Sequence, residues 1–132
     1  MSQRNVDAVR AVYERWGRGD FEAGLDVFDS DVVFLLPPQF PDPGEYRGFE
    51  QIAEYMRGFL EPWSHIAIEA EEIIDAGSDR VVAAIRQHGT GTGSGIETEF
   101  RYFQTWVFRG PKVLRLENSR ERPSVIDEGS DR

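Results

Sequence analysis

Apolar residues open the chain at helical spacing: Val6, Val9, Val12, Tyr13 and Trp16, with Arg10, Glu14 and Arg15 on the other side. This 3.6-residue period predicts an amphipathic helix over 3–17, ended by Gly17-Arg18-Gly19. Asp20 is placed to cap a short second helix in which Phe21, Leu25 and Phe28 share a face, and Asp29-Ser30-Asp31 breaks it. Val32–Leu36 is an unbroken apolar run, as expected of a strand buried on both faces. The stretch 37–48 holds four prolines and two glycines and reads as an ordered loop. A third helix follows, with Ile52, Tyr55, Met56, Phe59 and Leu60 as its stripe and Pro62 just past its end.

After Ser64 the period falls to two. Ile66, Ile68 and Ala70 alternate with Ala67, Glu69 and Glu71 until Ile73-Ile74 breaks the alternation, which predicts a β-bulge near that pair. Turn residues at 75–79, a flexible loop at 91–95 and Gly110-Pro111 then separate strands over 80–90, 96–109 and 112–122. The order α-α-β-α-β-β-β-β puts helices early and a hairpin meander late. It defines an α+β class in which three helices of the N-terminal half cover a mostly antiparallel sheet. One domain, 1–122, accounts for the length, followed by a poorly ordered acidic tail over 123–132.

Composition narrows the function classes. With 15 basic against 24 acidic residues the formal net charge is −9, so nucleic acid and anionic membrane surfaces are poor partners. There are no cysteines and only two histidines, His65 and His88, which leaves little for a metal site or a thiol nucleophile. No apolar run approaches a membrane span, and the charged start does not read as a secretory leader, so the expected location is the cytoplasm.

Strand alternation sorts side chains by face. With the 91–95 loop pivoting at Gly93, Ala84 falls opposite Tyr102, Arg86 opposite Phe100 and His88 opposite Thr98, all on one face. The long strand adds Gln104, Trp106 and Phe108 to that face, and the last strand adds Leu114, Leu116, Asn118 and Arg120. An apolar layer set with a few convergent polar groups is the usual makeup of a small-molecule pocket. The opposite face, carrying Ala83, Ile85, Phe103, Thr105 and Val107, has no helix left to cover it. A second copy of the sheet would do so, and a homodimer is therefore expected.

Several short motifs, in this order and spacing, resemble the SnoaL-like group of the nuclear transport factor 2-like superfamily, the cone-shaped fold of ketosteroid isomerases and polyketide cyclases. They are Trp16-Gly17-Arg18-Gly19-Asp20, Tyr46-Arg47-Gly48, Ile74-Asp75-Ala76-Gly77 with Asp79-Arg80-Val81-Val82, Gly91-Thr92-Gly93-Ser94-Gly95, and Lys112-Val113 with Leu116-Glu117. The resemblance spans about residues 5–122. It implies a strongly curved sheet, with the first and third helices and the even-numbered strand face lining a cone. The isomerases of that fold need a carboxylate base and two oxyanion donors, at positions that fall here on Leu36, Val12 and Gln104. Leucine takes no proton and valine donates no hydrogen bond, so that chemistry is not supported. A one-turn slip would bring in Tyr13 but still no base.

The expected function is binding of a small, largely apolar organic molecule in an internal pocket. Its lining would be Trp16, Phe34, Leu36, Tyr55, Ala84, Arg86, His88, Tyr102, Gln104, Trp106, Leu116, Asn118 and Arg120, with no cofactor and no metal. Two alternatives stand beside it. One is a lyase, isomerase or hydrolase with His88 as general base. The other is a structural dimer module whose cone is filled by its own aromatic rings.

Overall fold

The computed structural model describes residues 2–22 and 25–123. It contains α1 (Ser2–Trp16), β1 (Phe28–Leu36), β2 (Gly44–Arg47), α2 (Gly48–Leu60), β3 (Trp63–Asp75), β4 (Arg80–Gly91), β5 (Glu97–Arg109) and β6 (Lys112–Ser119). The strands form one sheet in the order β2-β1-β6-β5-β4-β3. Every pairing is antiparallel except β1 with β6, which are parallel and joined by the long excursion through α2 and the meander. The class is α+β, as expected.

α1 buries its whole stripe, from Val6 to Trp16, against the sheet. It ends where the glycines predict. The Asp20 amide donates to the Arg15 carbonyl at 2.9 Å and that of Gly19 to Trp16 at 3.0 Å, with Gly19 left-handed at φ 83°.

Three expectations are corrected here. The second helix is absent among the described residues: only a 3₁₀ turn, Leu25–Val27, precedes β1, which starts at Phe28. Asp29-Ser30-Asp31 therefore sits inside a strand, at a register shift against β6. The Asp29 carboxylate takes the Asp31 amide at 2.9 Å, and Arg109 reaches across to both acids, at 2.9 and 3.3 Å. A tertiary cation thus holds what local pattern reads as a breaker. Within the 37–48 loop, Gly44–Arg47 forms an edge strand on β1. The bulge of β3 lies at Glu71, between the pairs Ala70–Ile85 and Glu72–Ala84, slightly before the predicted place. β6 ends at Ser119, and of the tail only Pro123 is described; 124–132 lie outside the described residues.

The β4–β5 register decides the interior. Ile85 pairs with Tyr102, Gln87 with Phe100 and Gly89 with Thr98, one residue away from the pairing expected from a pivot at Gly93. A one-residue slip sends every side chain of a strand to the other face. Ala83, Ile85 and Gln87 face inward with Tyr102 and Gln104, whereas Ala84, Arg86 and His88 face outward. The bulge at Glu71 does the same within β3, so that Ile66 and Ile68 before it and Ile73 after it share the inner side.

Gly89 shows why the sheet can bend at this end. A Cβ there would lie 2.6 Å from the His65 carbonyl, so only glycine allows the two backbones to approach so closely.

Candidate functional site

The concave side of the sheet is not filled. A cavity of about 550 Å³ lies between it and α2, within the size range of small-molecule pockets. Its walls are aromatic and aliphatic: Trp16 from α1, Phe34 from β1, Tyr55 and Phe59 from α2, Phe100 and Tyr102 from β5. Most of these rings meet edge-on or tilted, as Phe34 does with Tyr55 at 5.3 Å and Phe40 with Tyr102 at 5.4 Å, while Tyr55 and Phe59 stack at 6.0 Å. They line the hollow and leave it open. The cone is thus not filled by its own aromatic rings.

α2 covers the hollow without sealing it. Its stripe residues Ile52, Tyr55, Met56 and Phe59 line the cavity, yet none of its residues is buried. Its start is closed by the Gln51 side chain, which accepts the Arg47 amide at 2.8 Å. Exposed residues of the 37–48 loop, among them Gln39, Pro41 and Asp42, complete one rim. Thr98 and Arg120 stand on the cavity wall with their side chains reaching solvent.

A buried polar chain runs behind the inner end. The Trp106 indole donates to the Tyr13 hydroxyl at 2.8 Å, Tyr13 donates to Gln104 Oε1 at 2.6 Å, and Gln104 Nε2 donates to Asn118 Oδ1 at 3.0 Å. Gln104 and Asn118 lie on the cavity wall, while Tyr13 and Trp106 stand behind it. Burial drives the Tyr13 phenol well above its ordinary range, so it stays a proton donor. Tyr102 is raised by burial too, and its hydroxyl donates to Gln87 Oε1 at 2.9 Å. Tyr55 is pushed up to about 12, by burial first and then by the nearby Tyr46 and Asp42.

Of the residues expected to line the pocket, Trp16, Phe34, Tyr55, Tyr102, Gln104, Leu116, Asn118 and Arg120 are on its wall. Leu36 and Trp106 are buried in the core instead. Ala84, Arg86 and His88 are on the other side of the sheet, moved there by the one-residue register difference. Arg86 binds Glu69 at 3.1 Å and Glu99 at 2.9 Å, and Arg101 bridges Glu71 and Glu99. The guanidiniums of Arg86 and Arg101 hold the carboxyls of Glu99 and Glu71, respectively, below their usual range. His88 Nε2 lies 3.4 Å from Glu69 in this belt, without hydrogen-bond geometry. A base there cannot reach a guest in the cavity.

Among the wall residues that the expected lining did not include, two carry chemistry, Gln87 and Asp42. Gln87 follows directly once the register is corrected. Asp42, the one carboxylate on the wall among the described residues, sits in a loop where alternation says nothing. Its backbone is left-handed at φ 55°, and its carbonyl accepts the Tyr46 hydroxyl at 2.7 Å. Tyr13, not Val12, is the α1 residue that reaches Gln104, but its proton is already committed there. Among the described residues, no cluster of histidine and acidic side chains suits a metal ion.

A curved, mostly antiparallel sheet closed by two helices around a hollow defines a class of cone-shaped α+β domains, the nuclear transport factor 2-like fold. Residues 9–116 match the SnoaL-like domain family, and the chain belongs to it. A nuclear transport factor 2-like protein of unknown function from Burkholderia pseudomallei superposes with a TM-score of 0.77 at 19% identity, over 89% of this chain and 91% of that one. TerC, co-crystallised with polyporic acid, gives 0.75 at 21% identity over 89% and 92%. A putative polyketide cyclase from Xanthomonas campestris gives 0.71 at 24% over 88% and 89%. No curated protein matches the chain.

Proposed function

We propose that this SnoaL-like protein binds a small, largely apolar organic molecule in the cavity, oriented by Gln87, Gln104 and Asn118. The observation that carries this reading is the unfilled 550 Å³ hollow, ring-walled, with amide side chains gathered on its wall. Empty apolar space of this size forfeits packing energy that a guest restores. TerC, of the same fold, was co-crystallised with polyporic acid, which supports reading the hollow as a place for a guest. The test is a thermal-shift screen backed by mass spectrometry of molecules that co-purify. Met56 of α2 is half-buried and lines the cavity. Met56→Trp should fill part of the hollow and abolish both co-purification and ligand-induced stabilisation. Ligand effects that persist in this variant count against the cavity.

A second reading, a cofactor-free lyase, isomerase or hydrolase, is favoured by Asp42. A carboxylate on the cavity wall is a candidate proton acceptor for a guest. With a substrate in hand, Asp42→Asn should reduce turnover at least about a hundredfold while leaving ligand binding intact; unchanged turnover removes Asp42 from the chemistry.

The protein works, on this reading, as a cytoplasmic homodimer joined through the outer sheet face. No helix among the described residues is long and apolar enough to cross a membrane. With the register corrected, that face sets Ala84, Phe103 and Val107 beside the Arg86–Arg101–Glu ion-pair belt. An apolar centre with a charged border is the layout of many association surfaces. Sedimentation at micromolar concentration should show a dimer, and a monomer defeats this part.

A further inference from the structure

Gln87, Asn118 and Arg120 bring unspent hydrogen-bond donors to the cavity wall, while Asp42, the one carboxylate among its described residues, stands exposed in the rim loop. One residue outside the cavity sets the polarity at Asn118. An indole nitrogen can only donate. Because Trp106 Nε1–H points at the Tyr13 oxygen, the Tyr13 hydroxyl must send its own proton onward, to Gln104 Oε1. That choice fixes which end of the Gln104 amide is nitrogen, and Gln104 Nε2 then donates to Asn118 Oδ1. Asn118 is thereby oriented with its oxygen used and its Nδ2 left over. No protein acceptor meets this nitrogen among the described residues, and protein atoms do not fully enclose it, so it opens to the cavity that Asn118 lines.

Two further groups agree with this polarity. Gln87 spends its oxygen on the Tyr102 hydroxyl, which leaves its amide N–H₂ unused. Arg120, two residues beyond Asn118 on the inward side of the chain, lies on the cavity wall with its guanidinium 4.6 Å above the Phe100 ring. Among the described residues it makes no ion pair, although the protein has an excess of acids. Arg122, its neighbour in sequence, is paired with Glu72.

We infer that the guest is an organic anion: an apolar, ring-bearing body with a carboxylate, sulfonate or comparable acceptor group recognised by Asn118 Nδ2 and Arg120. This rests on the cavity reading above and adds the ligand's chemical class to it. A neutral hydrocarbon would leave the donors unmet, and an amine at Asn118 and Arg120 would face a cation and N–H groups, with the Asp42 carboxylate only at the rim loop. One charge-assisted hydrogen bond typically accounts for about a tenfold difference in affinity or more.

The test uses two fluorescent probes with the same aromatic body, 1-anilinonaphthalene-8-sulfonate and the uncharged N-phenyl-1-naphthylamine. Wild-type protein should bind the sulfonate at least about tenfold more tightly. Asn118→Asp keeps the oxygen that accepts from Gln104 but replaces the free donor with negative charge. Arg120→Gln changes an exposed side chain and does not threaten folding. Each should cut the sulfonate's advantage over the uncharged probe at least about fivefold. Trp106→Phe frees the chain's polarity and should lower the same ratio, with Asn118 and Arg120 still present. If the uncharged probe binds, and Met56→Trp expels it, but the sulfonate shows no advantage or keeps it in Asn118→Asp and in Arg120→Gln, this inference is overturned and the cavity reading stands. If neither probe binds, or Met56→Trp displaces neither, both fail together.

Discussion

α1 and α2 carry the same kind of pattern, an apolar stripe on a polar helix, and do different things with it. In α1 the stripe meets the sheet and vanishes from solvent, with Val9 fully buried. In α2 the stripe faces the cavity, and not one residue of the helix is buried. Periodicity says which side of a helix turns inward. It does not say whether solid core or empty space waits there.

That contrast is open to attack by mutation. The largest effect is expected for Val9→Asp, which buries an unpaired charge in α1 and should cost on the order of 4 kcal/mol, enough to unfold much of the protein. Ile52→Asp makes the same chemical change in α2, where the side chain is half-exposed, and should cost about 1 kcal/mol. Denaturant melts of the two side by side measure the difference; equal losses would mean that α2 is as tightly packed as α1.

A smaller effect of opposite sign is expected at Gly58. A glycine inside a helix costs roughly 0.8–1 kcal/mol relative to alanine, and nothing stands within 4 Å of its would-be Cβ. Gly58→Ala should therefore raise stability by up to that amount. A loss would mean that the glycine is needed for close contact rather than for an opening.

The mildest test is alkaline titration. The Tyr55 phenol of α2 is raised from 10 to about 12 in the folded protein, so the unfolded chain releases this proton first. Its contribution to stability is complete below pH 10 and disappears as pH climbs toward 12. Tyr13 of α1 and Tyr102, raised by burial too, act in the same direction. Tyr55→Phe removes one of the three contributions and should move the alkaline unfolding midpoint upward, as followed by circular dichroism with phenolate absorbance.

Much of this molecule was readable in one dimension. The stripe of α1, its Gly19 stop, the stripe of α2 and the three hairpin turns are local devices, each set by residues within a few positions of one another. Their order is enough to name the architecture, and part of the cavity wall follows, since Tyr102, Gln104, Leu116 and Asn118 share a parity on strands whose inward face is plainly apolar.

The errors have a common cause, which is that partners distant in sequence decided the outcome. Asp29 and Asp31 look like a break until Arg109, about eighty residues on, reaches them. Gly44–Arg47 is a strand because β1 offers it an edge. Above all, a loop holding Gly91, Gly93 and Gly95 accommodates more than one hairpin register at little local cost. Packing of Ile85 and Ala83 into the core selected one of them, and with it sent Arg86 and His88 outward and Gln87 inward.

Local spacing along the chain thus determined which segments become helix or strand and that a concave apolar face would exist, because those preferences act over one turn or one hairpin. Only the folded sheet decided which polar groups reach the hollow and which way their protons point. Both depend on a register and on a donor-only indole ninety-three positions away from the tyrosine it commands.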